Sequence, residues 1–234
     1  MKRKLIITAS TGQTELTALT YPFLERYCEN HNIELLIARE QPEPIRNKFS
    51  SLGLEPLIGG VERLFIYDLF NLYDTILWVG SDVLVQPYAP NIFDYVPKGH
   101  VGAYVEHKKG EFHHAGNICG DCYNAFGLLP DKYINIDVML LDSSLKEIYN
   151  YNNIDLISNI NSGKWAYQDY WNFYIQKNNI PLFDLGYKWN CMVSKYIYTQ
   201  TPIPSDWFFL HVTGIAYNDR VKLIREYLTT NNMI

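Results

Sequence analysis

Asp82 closes a polar triplet, Gly80-Ser81-Asp82, that interrupts two apolar runs, 74–79 and Val83 to Val85. A carboxylate placed where a buried strand ends can hold a hard divalent cation against a nucleotide diphosphate. The bland alternative is a turn residue, since Asp readily hydrogen-bonds its own backbone in turns. A second cluster, HHAGNICGDC, brings His113, His114, Cys119 and Cys122 together, and its Cys-x-x-Cys bite suits a tetrahedral ion such as zinc. A zinc site built on His114, Cys119 and Cys122 would need His113 as well, and two adjacent imidazoles on one ion are strained. Ordinary reduced loop thiols are therefore the expectation there, with the His pair available to touch a bound ligand instead.

Such residues need elements to position them. Lys4 to Ala9 reads as a buried strand, followed by a polar Ser-Thr-Gly-Gln turn, an amphipathic helix from Thr14 to Asn30 and a second apolar strand from Ile33 to Ala38. Strand, helix, strand is the pattern of a parallel sheet, which binds ligands at the carboxyl ends of its strands. A proline-bearing loop is expected around Pro42 to Pro56, then a helix over Val61 to Leu72, where apolar residues recur at helical spacing. Further strands are expected at Asp74 to Val79, Val83 to Val85, Val101 to Glu106, Tyr133 to Leu141 and Trp207 to Val212, and helices at Ala166 to Lys177 and Asn218 to Thr229. The fold class is α/β, an open, mostly parallel sheet flanked by helices, with one domain over residues 1–234.

Composition narrows the function. A chain of 234 residues with 47% hydrophobic and 19% charged residues has the apolar content for a large core. Its net charge of -5 does not supply the clustered Lys and Arg that coating a nucleic acid requires. No stretch reaches the length of a membrane span, the basic opening runs straight into a strand without a signal-peptide pattern, and four cysteines are too few for a disulfide framework. A reducing cytoplasm is the expected location. The aromatic content of 15% suits a pocket for flat rings or sugars, and core packing explains it equally well.

The segment RLFIYDLFNLYDTILWVGSDVLV, Arg63 to Val85, resembles the signature of family 8-type glycosyltransferases of the GT-A fold: an Arg-led helix, then a strand ending in Asp-x-Asp. Tyr133 to Asp142, YINIDVMLLD, is similar to that family's aromatic-x-Asn-x-Gly-Val-Met-Leu strand, and Tyr167 to Asn172, YQDYWN, to its Asp-Gln-Asp-x-x-Asn helix start. Lys188-Trp189-Asn190 matches its Trp-Asn pair, and His211-Val212-Thr213-Gly214 its His-x-x-Gly, whose His is a metal ligand. These segments follow one another in the family's order.

The resemblance implies a transferase that moves a sugar from a nucleotide-sugar donor, a UDP-sugar first, to a carbohydrate, protein or small-molecule acceptor, with retention of configuration. Glycosyl transfer expels a diphosphate as positive charge develops at the anomeric carbon, so a cation or positive side chains must stabilise the leaving group. Asp82 and His211 would hold that cation; a carboxylate oxygen with an imidazole nitrogen suits Mn²⁺, whereas an all-oxygen shell would favour Mg²⁺. Donor contacts are implied for Thr8, Ala9 and Ser10 at the first strand end, for Arg63, for Gly80 and Ser81 beside Asp82, and for Asn135, Gly214 and Arg220. Arg63 could equally belong to a solvated helix face. Gln168 and Asp169, which would meet the sugar, form the catalytic set with Asp137; as a helix start, however, they need no ligand. Asn135 and Asp137, spaced by two, share the strand face that would meet the donor sugar.

The departures are specific. Gly80 replaces the first Asp of Asp-x-Asp, Tyr167 the first Asp of Asp-Gln-Asp, and Tyr217-Asn218-Asp219 stands where Lys-Pro-Trp is usual. Asp137 stands where the family has Gly, and could contact a sugar hydroxyl or replace a missing ligand. Arg220 or Lys222 could supply the phosphate charge of the absent Lys. A GDP-sugar transferase and a non-catalytic nucleotide-sugar-binding protein are the alternatives these changes motivate.

Overall fold

Short, almost wholly apolar runs form the strands of this protein, as they must where both faces of a sheet are covered. The structure, a computed structural model, describes residues 3–9, 14–39, 43–51, 62–106, 127–153 and 166–233. β1 (Lys4–Ala9) lies between β2 (Glu34–Ala38) and β3 (Thr75–Val79); beyond β3 come β6 (Ile134–Asp142), β5 (Val101–Val105) and β7 (Leu182–Asp184). All six strands run one way except β6, which pairs antiparallel with both β3 and β5. A smaller sheet orders β4 (Val83–Val85), β9 (Phe209–His211) and β8 (Cys191–Met192). It joins the main sheet through the turn at residues 80–82.

The core divides by layers. One cluster gathers Leu5, Ile7, Trp78, Met139 and Trp171, the last from α4 (Ala166–Lys177). A second, with Ile6, Leu77, Val79, Tyr27 and Trp189, takes in α1 (Thr14–His31). A third packs α6 (Tyr217–Thr230) and the small sheet together through Leu84, Leu210, Val212, Ile224 and Leu228.

Two expectations need correction. The proline-bearing stretch carries a helix, α2 (Glu43–Ser51), because Pro44 sits in its first turn, where a missing N–H costs nothing. The helix expected over Val61 to Leu72 is instead a 3₁₀ segment, Glu62–Phe65, followed by a short α3 (Ile66–Leu69). β7, β8 and α5 (Val193–Thr199) have three, two and seven residues, too few to leave a periodic signal.

One irregularity governs the geometry that follows. Along β6 the register with β5 jumps: Ala103 faces Met139, but Tyr104 faces Asn135. Ile134 and Ile136 share a core with Met139 and Leu141, while Val138 and Leu140 belong to the other. The alternation of faces therefore slips by one between 136 and 139, as a bulge requires. The backbone groups of the bulge still find partners: Arg63 Nη1 donates to the Ile136 carbonyl at 2.6 Å, Gly80 N to the Asp137 carbonyl at 2.7 Å, and Asp137 N to Asn135 Oδ1 at 3.0 Å.

Candidate active site

The carboxyl end of β3, the bulge of β6 and the end of β9 meet at one edge of the sheet. Pairing of β4 with β9 sets Val83 opposite His211, and Val212 N donates to the Asp82 carbonyl at 3.0 Å, so Asp82 and His211 are held as ladder neighbours. His211 is fully buried, and its Nε2 stands 3.4 Å from Asp82 Oδ1 and 3.4 Å from Asp137 Oδ2. The other oxygen of each carboxylate goes to an arginine: Asp82 Oδ2 to Arg220 Nη1 at 2.8 Å, Asp137 Oδ1 to Arg63 Nη2 at 2.6 Å.

A chain of amides determines which nitrogen of His211 carries hydrogen. The Asp137 N–H needs an acceptor, so Asn135 presents Oδ1 to it and turns Nδ2 toward Glu106 Oε1, 2.8 Å away. Asn190 Nδ2 donates to the same Asn135 oxygen at 2.9 Å, which leaves Asn190 Oδ1 facing His211 Nδ1 at 3.0 Å. Nδ1 therefore bears a hydrogen, and Nε2, which faces the two carboxylates, has a lone pair in the neutral ring and a second N–H in the charged one.

The charges bias one another. Burial raises the Asp82 carboxyl, but His211 and Arg220 outweigh it and hold its pKa below the usual value. Burial also opposes a charged His211, yet Asp82 and Asp137 together raise its pKa above that of an ordinary imidazole. Desolvation pushes Glu106 up, more than the hydrogen bonds from Asn135 and Gln168 pull it down.

The remaining sequence candidates fall at varied distances from this cluster. Gln168, in the first turn of α4, donates to Glu106 Oε1 at 3.1 Å and joins the network. Asp169 is 1% exposed and accepts the Tyr133 hydroxyl at 2.7 Å, a contact that seats α4 on β6. Arg63 lies buried between Trp78 and Trp171, its guanidinium carbon 4.7 Å and 5.5 Å from their ring centres, so its charge is spent on the bulge and on Asp137. Thr8 is buried at the end of β1, the Ala9 carbonyl accepts Tyr21 Oη at 2.7 Å, and the Ser81 carbonyl accepts Thr20 Oγ1 at 3.0 Å. Gly214 precedes α6 with φ 75°, a conformation that favours glycine over any side chain. Arg220 is fixed a second time by Nε donating to the Ile215 carbonyl at 3.0 Å. Ser10, His113, His114, Cys119 and Cys122 lie outside the described residues.

Two participants were missed by sequence reasoning. Glu106 follows an apolar strand, VGAYV, and its only signal was a carboxylate at a strand end. Asn190 was noted as part of a Trp-Asn pair, but its contact with His211 joins neighbouring strands of the small sheet across 21 residues and leaves no local pattern.

A divalent cation finds suitable donors at this edge: an imidazole with its tautomer fixed by an outer amide, the usual support of a metal-bound His, and carboxylate oxygens beside it. Among the described residues, however, no group of three or more His, Cys, Asp or Glu side chains is placed, as it stands, to hold a metal ion. The arginines draw one oxygen of each carboxylate outward.

No protein-family profile and no curated protein matches the chain. Solved structures do. A glycosyltransferase involved in glycosylation of the major capsid of PBCV-1 superposes with a TM-score of 0.62 at 18% identity, covering 96% of this chain and 99% of the other. The galactosyltransferase LgtC, solved with donor and acceptor sugar analogs, gives 0.61 at 13% identity over 95% of both chains. Mouse xyloside xylosyltransferase 1 gives 0.52 at 9% identity, over 92% of this chain and 99% of its own. At such identities the likeness is one of fold: the chain has the GT-A glycosyltransferase fold, as its sequence led us to expect.

Proposed function

We propose that this chain is a glycosyltransferase that uses a nucleotide-sugar donor, a UDP-sugar first, and transfers the sugar to an acceptor with retention of configuration. The observation that carries the reading is the convergence of Asp82, His211 and Arg220 at the carboxyl edge of a GT-A sheet, where a leaving diphosphate must be stabilised. Asp82 and His211 would hold a divalent cation, Mn²⁺ before Mg²⁺, and when bound it would neutralise charge on the departing phosphates. Arg220, 24% exposed and tethered at both ends of its guanidinium, offers a fixed positive charge to the same group.

Other residues of the edge shape the sugar site. Thr8 and Ala9 end the strand beside which the base would lie. Asn135, Gln168 and Glu106 form a hydrogen-bonded wall suited to sugar hydroxyls, and their mutual bonds keep each side chain in place before a donor arrives. In the front-face route to retention, a leaving phosphate oxygen takes the acceptor proton, so no protein nucleophile is needed.

Calorimetry with UDP and UMP in the presence of Mn²⁺, joined to a screen for UDP or GDP release from sugar nucleotides, tests the reading. UDP should bind more tightly than UMP, because the diphosphate is where the charged groups act. Equal affinities, or no binding of either, would sink the donor assignment. Tight UDP-sugar binding with no release across an acceptor panel would favour a binding protein.

A further inference from the structure

We propose that Asp137 is a third protein ligand for a divalent cation, so that the ion is held by the end of β3, the bulge of β6 and β9 together. The inference rests on the donor-site reading for what the ion does, but the coordination itself is argued from three atoms. His211 Nε2 is buried and, with Nδ1 committed to Asn190, faces Asp82 Oδ1 and Asp137 Oδ2 with no partner at ordinary hydrogen-bond distance. A nitrogen so placed takes either a proton, which makes it an imidazolium between two carboxylates, or a cation in the proton's place. The groups facing it, Asp82 Oδ1 and Asp137 Oδ2, are acceptors, each 3.4 Å away. With the proton off Nε2, as metal binding requires, these three atoms are electron-pair donors that converge on one point. Adjacent donors on an octahedral ion at about 2.1 Å stand about 3 Å apart, a few tenths of an ångström from what is seen here.

The neighbouring glycine explains why Asp137 can be there. A Cβ at Gly80 would lie 3.1 Å from Asp82 Oδ1, 3.2 Å from Asp137 Cβ and 3.4 Å from its carboxyl carbon. The Asp137 side chain thus fills space that any larger residue at 80 would claim, and the bulge turns it there. Gly80 has no positive φ, so it is this crowding and not backbone strain that keeps the position small. A carboxylate absent from one strand is restored by its neighbour. Because Arg63 and Arg220 already balance Asp82 and Asp137, an ion bound alone leaves its own charge uncompensated; a diphosphate should tighten it strongly.

Binding of Mn²⁺, followed by the loss of free-ion paramagnetic resonance signal, tests this on wild type, Asp137→Asn, Gly80→Asp and the exchange variant Gly80→Asp/Asp137→Gly. Each is titrated with Mn²⁺ alone, with inorganic pyrophosphate and with UDP. Loss of outer-shell partners costs about 10–100-fold in metal affinity, so Asp137→Asn should lose at least about tenfold. Gly80→Asp alone should weaken binding through crowding, and the exchange variant should recover most of the loss. Should Asp137→Asn fail to fold, the exchange variant decides: a folded exchange variant that binds no Mn²⁺ overturns the proposal. Equal affinity of wild type and Asp137→Asn, or no Mn²⁺ bound by wild type in any arm, overturns it too. Mn²⁺ binding that depends on Asp137 but gains nothing from UDP beyond pyrophosphate would support the ligand and reject the nucleotide-sugar reading, so the two can fail separately.

Discussion

β6 carries two carboxylates, one at its C-terminal end and one within its bulge, and the two are treated differently by their surroundings. At its C-terminal end Asp142 accepts hydrogen bonds from Gly99 N on one oxygen and from Ser144 N and Oγ on the other, and these outweigh desolvation to hold its pKa low. Every donor comes from nearby backbone or a serine, and the result is a capped 3₁₀ turn, Ser143–Tyr149. Within the bulge, Asp137 gives one oxygen to Arg63 and turns the other to His211 Nε2. A carboxylate whose lone pairs are met by fixed donors is part of the scaffold; one whose second oxygen faces a titratable ring nitrogen that it shares with another carboxylate is open to a proton or to a cation in its place.

That contrast can be broken by substitution. Arg63→Met should have the largest effect: it strips Asp137 and the Ile136 carbonyl of their partner between two tryptophans, and breaking a buried pair costs about 3–5 kcal/mol, measurable by urea unfolding. Gln168→Ala should lower turnover by roughly 10²–10³ while moving UDP affinity little, since a contact with the reacting sugar is felt mainly in the transition state; initial rates of UDP release measure it. Asn190→Ala frees His211 Nδ1 and lets the ring take either tautomer, which should weaken Mn²⁺ binding by about 10–100-fold in a titration with pyrophosphate. Asp142→Asn is the counterpart, expected to cost about 1–3 kcal/mol of stability and to leave Mn²⁺ affinity unchanged.

The smallest effect concerns Glu106. Its carboxyl pKa is raised in the folded protein, so the native state holds the proton more tightly than the unfolded chain does, and stability falls as pH rises through the native value. Asp137 adds to this shift and His211 opposes it. Glu106→Gln removes the charge while keeping an acceptor for Asn135 and Gln168. Its melting temperature should exceed that of wild type at neutral pH, and the gap should close as pH falls toward the ordinary carboxyl range.

The strands that anchor the site were legible because buried parallel strands must be apolar on both faces: KLIITA and TILWV have few alternatives. The same property hid the bulge. INIDVMLL is apolar on both sides of Asp137, so a slip of one residue leaves the pattern of residue types unchanged, and only pairing with β5 reveals it. Asp82 and His211 could be singled out from local motifs, but the Glu106–Asn135–Asn190–His211 chain joins four segments and is written nowhere in sequence order. Arg63 shows a further limit. Its position in a helix-like pattern suggested a solvated face or a donor contact, and burial against Trp78 and Trp171 is a tertiary fact.

The crowding around Gly80 also constrains how such a chain can change over generations. Positions 80 and 137 sit on separate strands, yet the space between them admits one substantial side chain comfortably. A lineage moving the carboxylate from one strand to the other meets a congested intermediate if it gains before it loses, and an intermediate with glycine at both positions if it loses first. The two codons are therefore linked as a pair by sterics, and the passable route between the arrangements runs through the emptier of the two.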